Sequence, residues 1–127
     1  MIGEIWYYKA KLPNSGEYKT RPVLVIGNDA SNNLYFTDIH YVIISSSAEV
    51  GLYDVEIPEN IAIEIGLLRK SIIKTTKIYT GPKSLFERKV SDLPEKYRKE
   101  FAKNYKEYQY QLISTFEQSS ELEASYC

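Results

Sequence analysis

The run Pro22-Val23-Leu24-Val25-Ile26, followed at once by Gly27-Asn28-Asp29, restricts the fold more than any other part of this chain. It is too short for a buried helix, and β-branched residues closed by turn residues predict a strand. No polar residue alternates into the run, so apolar material must cover both faces, which places the strand at the middle of a sheet.

The neighbouring segments supply further strands. Glu4 to Ala10 is dense in aromatic and β-branched residues and is stopped by turn residues from Leu12 to Gly16. A loop carrying Glu17, Tyr18, Lys19 and Thr20 is expected next. Leu34 to Ser45 reads as a long, bent strand, and Ser71 to Tyr79 as another. Tyr53, Val55 and Ile57 alternate with Asp54 and Glu56, the period of a half-buried edge strand.

The period then changes. Asp92-Leu93-Pro94-Glu95 resembles a capping box, and Tyr97, Phe101, Tyr105, Tyr108, Leu112 and Phe116 recur every three or four residues. The opposite face holds Lys96, Arg98, Lys99, Lys103 and Lys106, which reads as a solvated face, with a nucleic-acid-facing ridge as the alternative. Short strands followed by one long helix predict a mainly β fold: a strongly curled antiparallel sheet, close to a small barrel, packed by a C-terminal helix. One domain over residues 1–118 and a flexible tail over 119–127 are expected.

Charge and motif content exclude several classes of chemistry. Sixteen Lys and Arg against 17 Asp and Glu give no global attraction to nucleic acid, so any such contact needs a local patch. The single cysteine, Cys127, cannot form an internal disulfide. The first residues lack a signal-peptide pattern and no apolar run is long enough to span a bilayer, so a cytoplasmic protein without membrane contact is expected. With one histidine, a His–His acid–base pair is excluded, and His40 within a strand-like run reads as structural. No HExxH, CxxC, DxDxDG, Walker or GxSxG pattern occurs, so neither a metal site nor a cofactor is expected.

Arginine, lysine, tyrosine and hydroxyl groups remain. Cleavage of RNA suits them, because the substrate's own ribose 2'-OH is the nucleophile and the protein mainly orients groups and neutralises charge. Arg21 stands where a loop enters the buried strand, so its base is held while its guanidinium projects from the rim.

Gly3 to Leu12, then Lys19-Thr20-Arg21-Pro22-Val23-Leu24-Val25-Ile26 to Asp29, a strand ending in Ser45-Ser46, and the block from Gly66 to Lys74 leading to Lys77-Ile78-Tyr79-Thr80 together resemble the MazF/PemK toxins of toxin–antitoxin pairs. The likeness runs in order as far as Phe116. It implies an SH3-like barrel, a homodimer, an acidic antitoxin partner with which DNA is bound, and metal-independent, sequence-selective endoribonuclease action on single-stranded RNA that leaves a 2',3'-cyclic phosphate and a 5'-OH.

The resemblance also implies residue roles. Arg21 matches the arginine central to catalysis, and Ser45, with Ser46 as runner-up, matches a threonine or serine at the end of the third strand. A guanidinium with pKa above ~12 is a poor base, so Arg21 is expected to clamp the transition state, with Glu17 or Tyr18 assisting proton transfer. Lys19 and Thr20 are expected to contact RNA. Where the family often has glutamine-x-arginine this chain has Thr76-Lys77-Ile78, leaving Lys77, with Lys74 as backup, for a second phosphate. Trp6 and Tyr8 are candidates for stacking on bases. The alternative is a non-catalytic binding module resembling the gyrase poisons on the same fold. Those act through a tryptophan near the C-terminus, whereas the only tryptophan here is Trp6.

Overall fold

The computed structural model describes the backbone of residues 1–11, 14–28, 38–47 and 49–126, and side chains as far as 119. Strands β1 (Glu4–Lys11), β2 (Tyr18–Asn28), β3 (Asp38–Ser45), β4 (Val55–Ile57), β5 (Ser71–Pro82) and β6 (Phe86–Asp92) are joined by a short helix α1 (Glu59–Glu64) and a 3-10 turn at Lys83–Leu85, and the chain finishes in the long helix α2 (Glu95–Tyr126). They form one six-stranded sheet in the order β4-β5-β3-β2-β1-β6, antiparallel throughout. The sheet curls into a half-barrel under the C-terminal helix, the architecture expected from the pattern of periods.

The apolar run in β2 behaves as its composition demands. Leu24 points into the cluster shared with Ile5, Val42, Ile73, Tyr97 and Phe101, beneath α2. Val23 and Val25 point the other way, against Tyr8, Ile39, Tyr41 and Phe86. These side chains are almost fully buried, so β2 has apolar layers on both faces. Curling is concentrated where registers shift: between Val42 and Ile44, β5 inserts extra residues opposite Ile43, and β1 shifts twice against β6.

Several boundaries differ from the sequence reading. Tyr18 to Thr20, expected in a loop, already belong to β2 and pair with Lys11 to Lys9, because ladder hydrogen bonds at an exposed hairpin end need no apolar side chains. The edge strand β4 is shorter than Tyr53 to Ile57, while β5 runs on to Pro82. Helix α1 and strand β6 were not anticipated; each buries little, Ala62 in α1 and chiefly Phe86 in β6. The expected strand residues 34–37 and turn residues Leu12 and Pro13 lie outside the described residues. Helix α2 continues through Tyr126, past residue 118, where the sequence reading ended the folded part.

Contacts at two places along its length seat α2. Gly3 has φ +83°, and a Cβ there would fall 1.6 Å from Arg98 Nη2, so only glycine allows the guanidinium to lie on β1's start and donate to the Ile2 carbonyl at 3.1 Å. Arg98 is therefore committed to helix docking and leaves the expected cationic ridge. Further along, Asn104 Nδ2 donates to the Tyr53 carbonyl at 3.2 Å, and Tyr53 packs on Tyr108 and donates its hydroxyl to Gln111. Asp92, expected to cap the helix, instead pairs with Lys89 at 3.1 Å.

Candidate functional site

Beyond Val23 and Ile43, the last bridge between β2 and β3, the same register continued by two residues sets Ser45 beside Arg21. On its other side Arg21 pairs with Tyr8 of β1, and Ser45 pairs with Ile72 of β5. Adjacent strands lie about 5 Å apart, so the neighbouring strands β2 and β3 bring a guanidinium and a hydroxyl to one rim although 24 positions separate them in the chain.

There the sheet opens into a cleft of about 350 Å³ lined by Lys19, Thr20, Arg21, Ser45, Ser46, Ser47, Arg69 and Ser71, with Tyr7, Pro22, Ile44, Leu67 and Leu68 as apolar wall. No carboxylate stands among these lining residues. Among the described residues no carboxylate approaches Lys19, Arg21 or Arg69 within ion-pair distance. Their positive charge is thus directed at whatever enters. Ser45 Oγ accepts the Ser47 N–H at 3.4 Å, an ST-type turn that bends the chain away at the end of β3 and leaves three hydroxyls together. Thr20 is tethered outward, donating from Oγ1 to Glu87 Oε2 at 3.2 Å.

Arg69 is the cleft residue that sequence reasoning missed. Two residues past the end of helix α1, Gly66 with φ of +93° turns the chain, and Leu67 N donates to the Ala62 carbonyl at 2.8 Å. Leu67 is then buried in the main core, Leu68 stays exposed, and the Arg69 carbonyl accepts from Ser71 Oγ at 2.9 Å. This short, doubly anchored connection delivers Arg69 to the cleft. A glycine ending a helix, then a cation just before a strand, was the available signal.

The remaining expected site residues are placed elsewhere. Tyr8 is buried against Tyr41 and Phe86, with ring centroids at 4.5 and 4.9 Å, so no face is left for a base. Trp6 is half-buried, and its Nε1 donates to Glu4 Oε1 at 2.9 Å. Lys74 Nζ lies 2.5 Å from the buried Asp54 carboxylate and is not a phosphate contact. Lys77 is exposed in the irregular part of β5 and does not line the cleft. Glu17 and Tyr18 sit at the β1–β2 hairpin end, where Lys9 covers the Tyr18 ring, and Tyr18 is about 10 Å along the strand from Arg21 at 3.4 Å per residue. The proton-transfer role expected of those two is not supported by this placement. His40, read as structural, bonds through Nδ1 to Thr80 Oγ1 at 2.9 Å across β3 and β5.

A larger hollow, about 490 Å³, lies between α1 and the start of α2, but its polar side chains are Asn60, Glu64, Lys96 and Tyr97, with no cluster of hydroxyls. Among the described residues, no three His, Cys, Asp or Glu side chains are grouped as metal ligands. Among the described residues no helix is long and apolar enough to cross a membrane.

Comparison with known proteins agrees with the fold. Three solved structures are similar: an endoribonuclease in complex with its cognate antitoxin from a mycobacterial species (12% identity, TM-score 0.60, covering 83% of this chain and 89% of that one), the Mycobacterium tuberculosis toxin MazF-mt6 (18%, 0.57, 79% and 91%), and the MazE–MazF complex of Deinococcus radiodurans (14%, 0.62, 85% and 92%). At these identities the likeness is one of fold. No curated protein sequence matches the chain. The model of one protein family matches residues 2–107, nearly all of the sheet and the first part of α2. The chain belongs to that family, the PemK-like, MazF-like toxins of type II toxin–antitoxin systems.

Proposed function

We propose that this protein is a metal-independent endoribonuclease that cuts single-stranded RNA at the Arg21 cleft. The observation that carries this reading is the gathering of Arg21, Lys19 and Arg69 with the hydroxyls of Ser45 and Ser46 in a cleft without a lining carboxylate. Such a site attracts a phosphodiester and has little else to offer.

The step that fits is transesterification. The ribose 2'-oxygen attacks the adjacent phosphorus, the phosphorus–O5' bond breaks, and the products are a 2',3'-cyclic phosphate and a 5'-OH. The 2'-OH loses a proton and the leaving O5' gains one, and in an open cleft both exchanges run through water. Arg21 stays protonated throughout and forks onto the non-bridging oxygens, whose charge grows in the transition state. Ser45 and Ser46 orient the phosphate or the 2'-OH, and Lys19 and Arg69 hold the flanking strand. An acidic antitoxin is the partner proposed to cover this cationic cleft, and the protein acts in the cytoplasm.

The test is incubation of the purified protein with long single-stranded RNA in EDTA, followed by mapping of the cut ends. Cutting with cyclic-phosphate and 5'-OH ends is expected. RNA left intact across varied sequences, or protected by EDTA, would overturn the reading. Arg21→Ala, at an exposed position, should fold as the parent does and not cut; undiminished cutting removes Arg21 from the mechanism.

A further inference from the structure

Tyr7 connects the Arg21 cleft to the edge of the sheet. It lines the cleft, is half-buried, and pairs with Pro22, the residue after Arg21, on one side and with Arg88 of β6 on the other. The Arg88 guanidinium carbon lies 4.5 Å from the centre of the Tyr7 ring, so the ring backs the cation. The next residue, Lys89, is paired with Glu4 and Asp92 at 3.0 and 3.1 Å. Among the described residues no carboxylate comes within ion-pair distance of Arg88, which is exposed. A guanidinium seated on a ring, with its charge unpaired and its other side in solvent, is a plane on which a nucleobase can stack.

A bulge sets a carboxylate beside this plane. Tyr7 opposes Arg88 and Tyr8 opposes Phe86, so Glu87 is the extra residue between them. Residues opposed across an antiparallel ladder share a face, so Thr20, opposite Lys9, lies on the face of Tyr7. Glu87 Oε2 accepts the Thr20 hydroxyl at 3.2 Å, so Glu87 reaches that face as well. In a regular strand Glu87 and Arg88 would point to opposite faces; the bulge brings both to the side of Tyr7.

Such a pair selects among bases. A carboxylate accepts hydrogen bonds and donates none. Guanine alone carries two adjacent donors, N1–H and the N2 amino group, on its Watson–Crick edge, whereas adenine, cytosine and uracil each set an acceptor beside their donor. Arg88 stands two strands, about 10 Å, from Pro22, within reach of a nucleotide flanking the one held at Arg21. We infer that Arg88, backed by Tyr7, and Glu87 form a base subsite that stacks a guanine at a fixed position close to the bond that is cut. This rests on the reading of the Arg21 cleft as a site of RNA cleavage.

The experiment has two arms, both on the full chain. Cut sites mapped on long RNA of varied sequence should show guanine at one fixed position near the cut, and Glu87→Gln should lose that preference. Binding is then read by fluorescence anisotropy with a 2'-O-methyl RNA of the cut sequence, which has no free 2'-OH to react. Replacing the guanine by inosine, which lacks the N2 amino group, should weaken binding to the parent about tenfold and change binding to Glu87→Gln little. Arg88→Lys keeps the charge and removes the plane, so it should weaken binding about tenfold without altering the salt slope. Both positions are exposed, and the variants should fold as the parent does. Parent-like binding by Arg88→Lys, or an inosine loss that persists in Glu87→Gln, overturns the subsite alone, as does a parent that cuts without a guanine preference. A parent that cuts no RNA overturns the reading of the cleft, and the subsite with it.

Discussion

Lys74 Nζ lies 2.5 Å from Asp54 Oδ2, and the same carboxylate oxygen accepts the Gly51 N–H at 2.7 Å. The Asp54 side chain is only 3% exposed and Lys74 17%, so the pair ties β5 to the segment leading into β4 at a place where water screens it poorly. Lys74 Nζ also donates to the Glu49 carbonyl at 2.9 Å. Removing one member strands the other, so Asp54→Ala should cost about 3 kcal/mol of stability, read by urea unfolding. Lys74→Met should also destabilise, yet leave RNA cleavage per folded molecule unchanged. A selective loss of cleavage at equal stability would return Lys74 to the phosphate-binding set.

Arg69 is expected to contact a phosphate flanking the reacting one. Arg69→Gln should raise KM for RNA with little change in kcat, and should lower the slope of log affinity against log salt by about one. Fluorescence anisotropy with a short RNA over a salt series measures that slope. An unchanged slope would show that Arg69 lines the cleft without holding the strand.

Glu4 sits beneath the indole N–H of Trp6 and beside Lys89, whose ammonium is 3.0 Å from Oε2. The indole hydrogen bond first, and then Lys89, hold the Glu4 carboxyl below its usual value of 4.5. A depressed carboxyl contributes stability that is fully present above the unfolded value and lost as pH falls through the folded one. Its partner Lys89 is raised above 10.5, by Glu4 first and then Asp92, so its contribution is present below that pH and lost as pH rises through the folded value. Glu4→Gln should flatten the acid limb of a stability–pH profile below about pH 4.5 and leave the neutral region nearly level. An acid limb identical to that of the parent would rule out this linkage.

Thr75 is fully buried, and its hydroxyl has no hydrogen-bond partner among the described residues. An unpaired hydroxyl in an apolar site costs on the order of 1 kcal/mol, and valine has nearly the same shape. Thr75→Val should therefore hold or raise the melting temperature. A clear drop would reveal a partner for the hydroxyl.

How much of this was legible in the chain varies from element to element. Pro22 to Ile26 announced a strand covered on both faces, and the packing of Leu24 on one side and of Val23 and Val25 on the other is what that run required. The stripe beginning at Tyr97 announced the long helix. Strand β6 left no such mark, since an edge strand is held by its ladder to β1 and buries mainly Phe86, and hydrogen bonds of the backbone write nothing into side-chain pattern. Arg21 was visible because it abuts the apolar run, and Ser45 because it ends a strand. Burial then removed Tyr8, and a neighbouring carboxylate removed Lys74, neither of which periodicity could reveal.

The sequence by itself determined which segments are extended, which is helical, and that a cation and hydroxyls stand at strand ends, because these follow from local periodicity and composition. Only the tertiary structure decided which of those groups meet. Arg21 in β2, Ser45 at the end of β3 and Arg69 in the connection before β5 are distant in the chain, and their convergence depends on antiparallel register and on the turn at Gly66, which are set by contacts between elements. The same reason leaves Leu112 and Phe116 bare: their periodicity matches that of Tyr97 and Phe101, and only the end of the sheet beneath the helix distinguishes them.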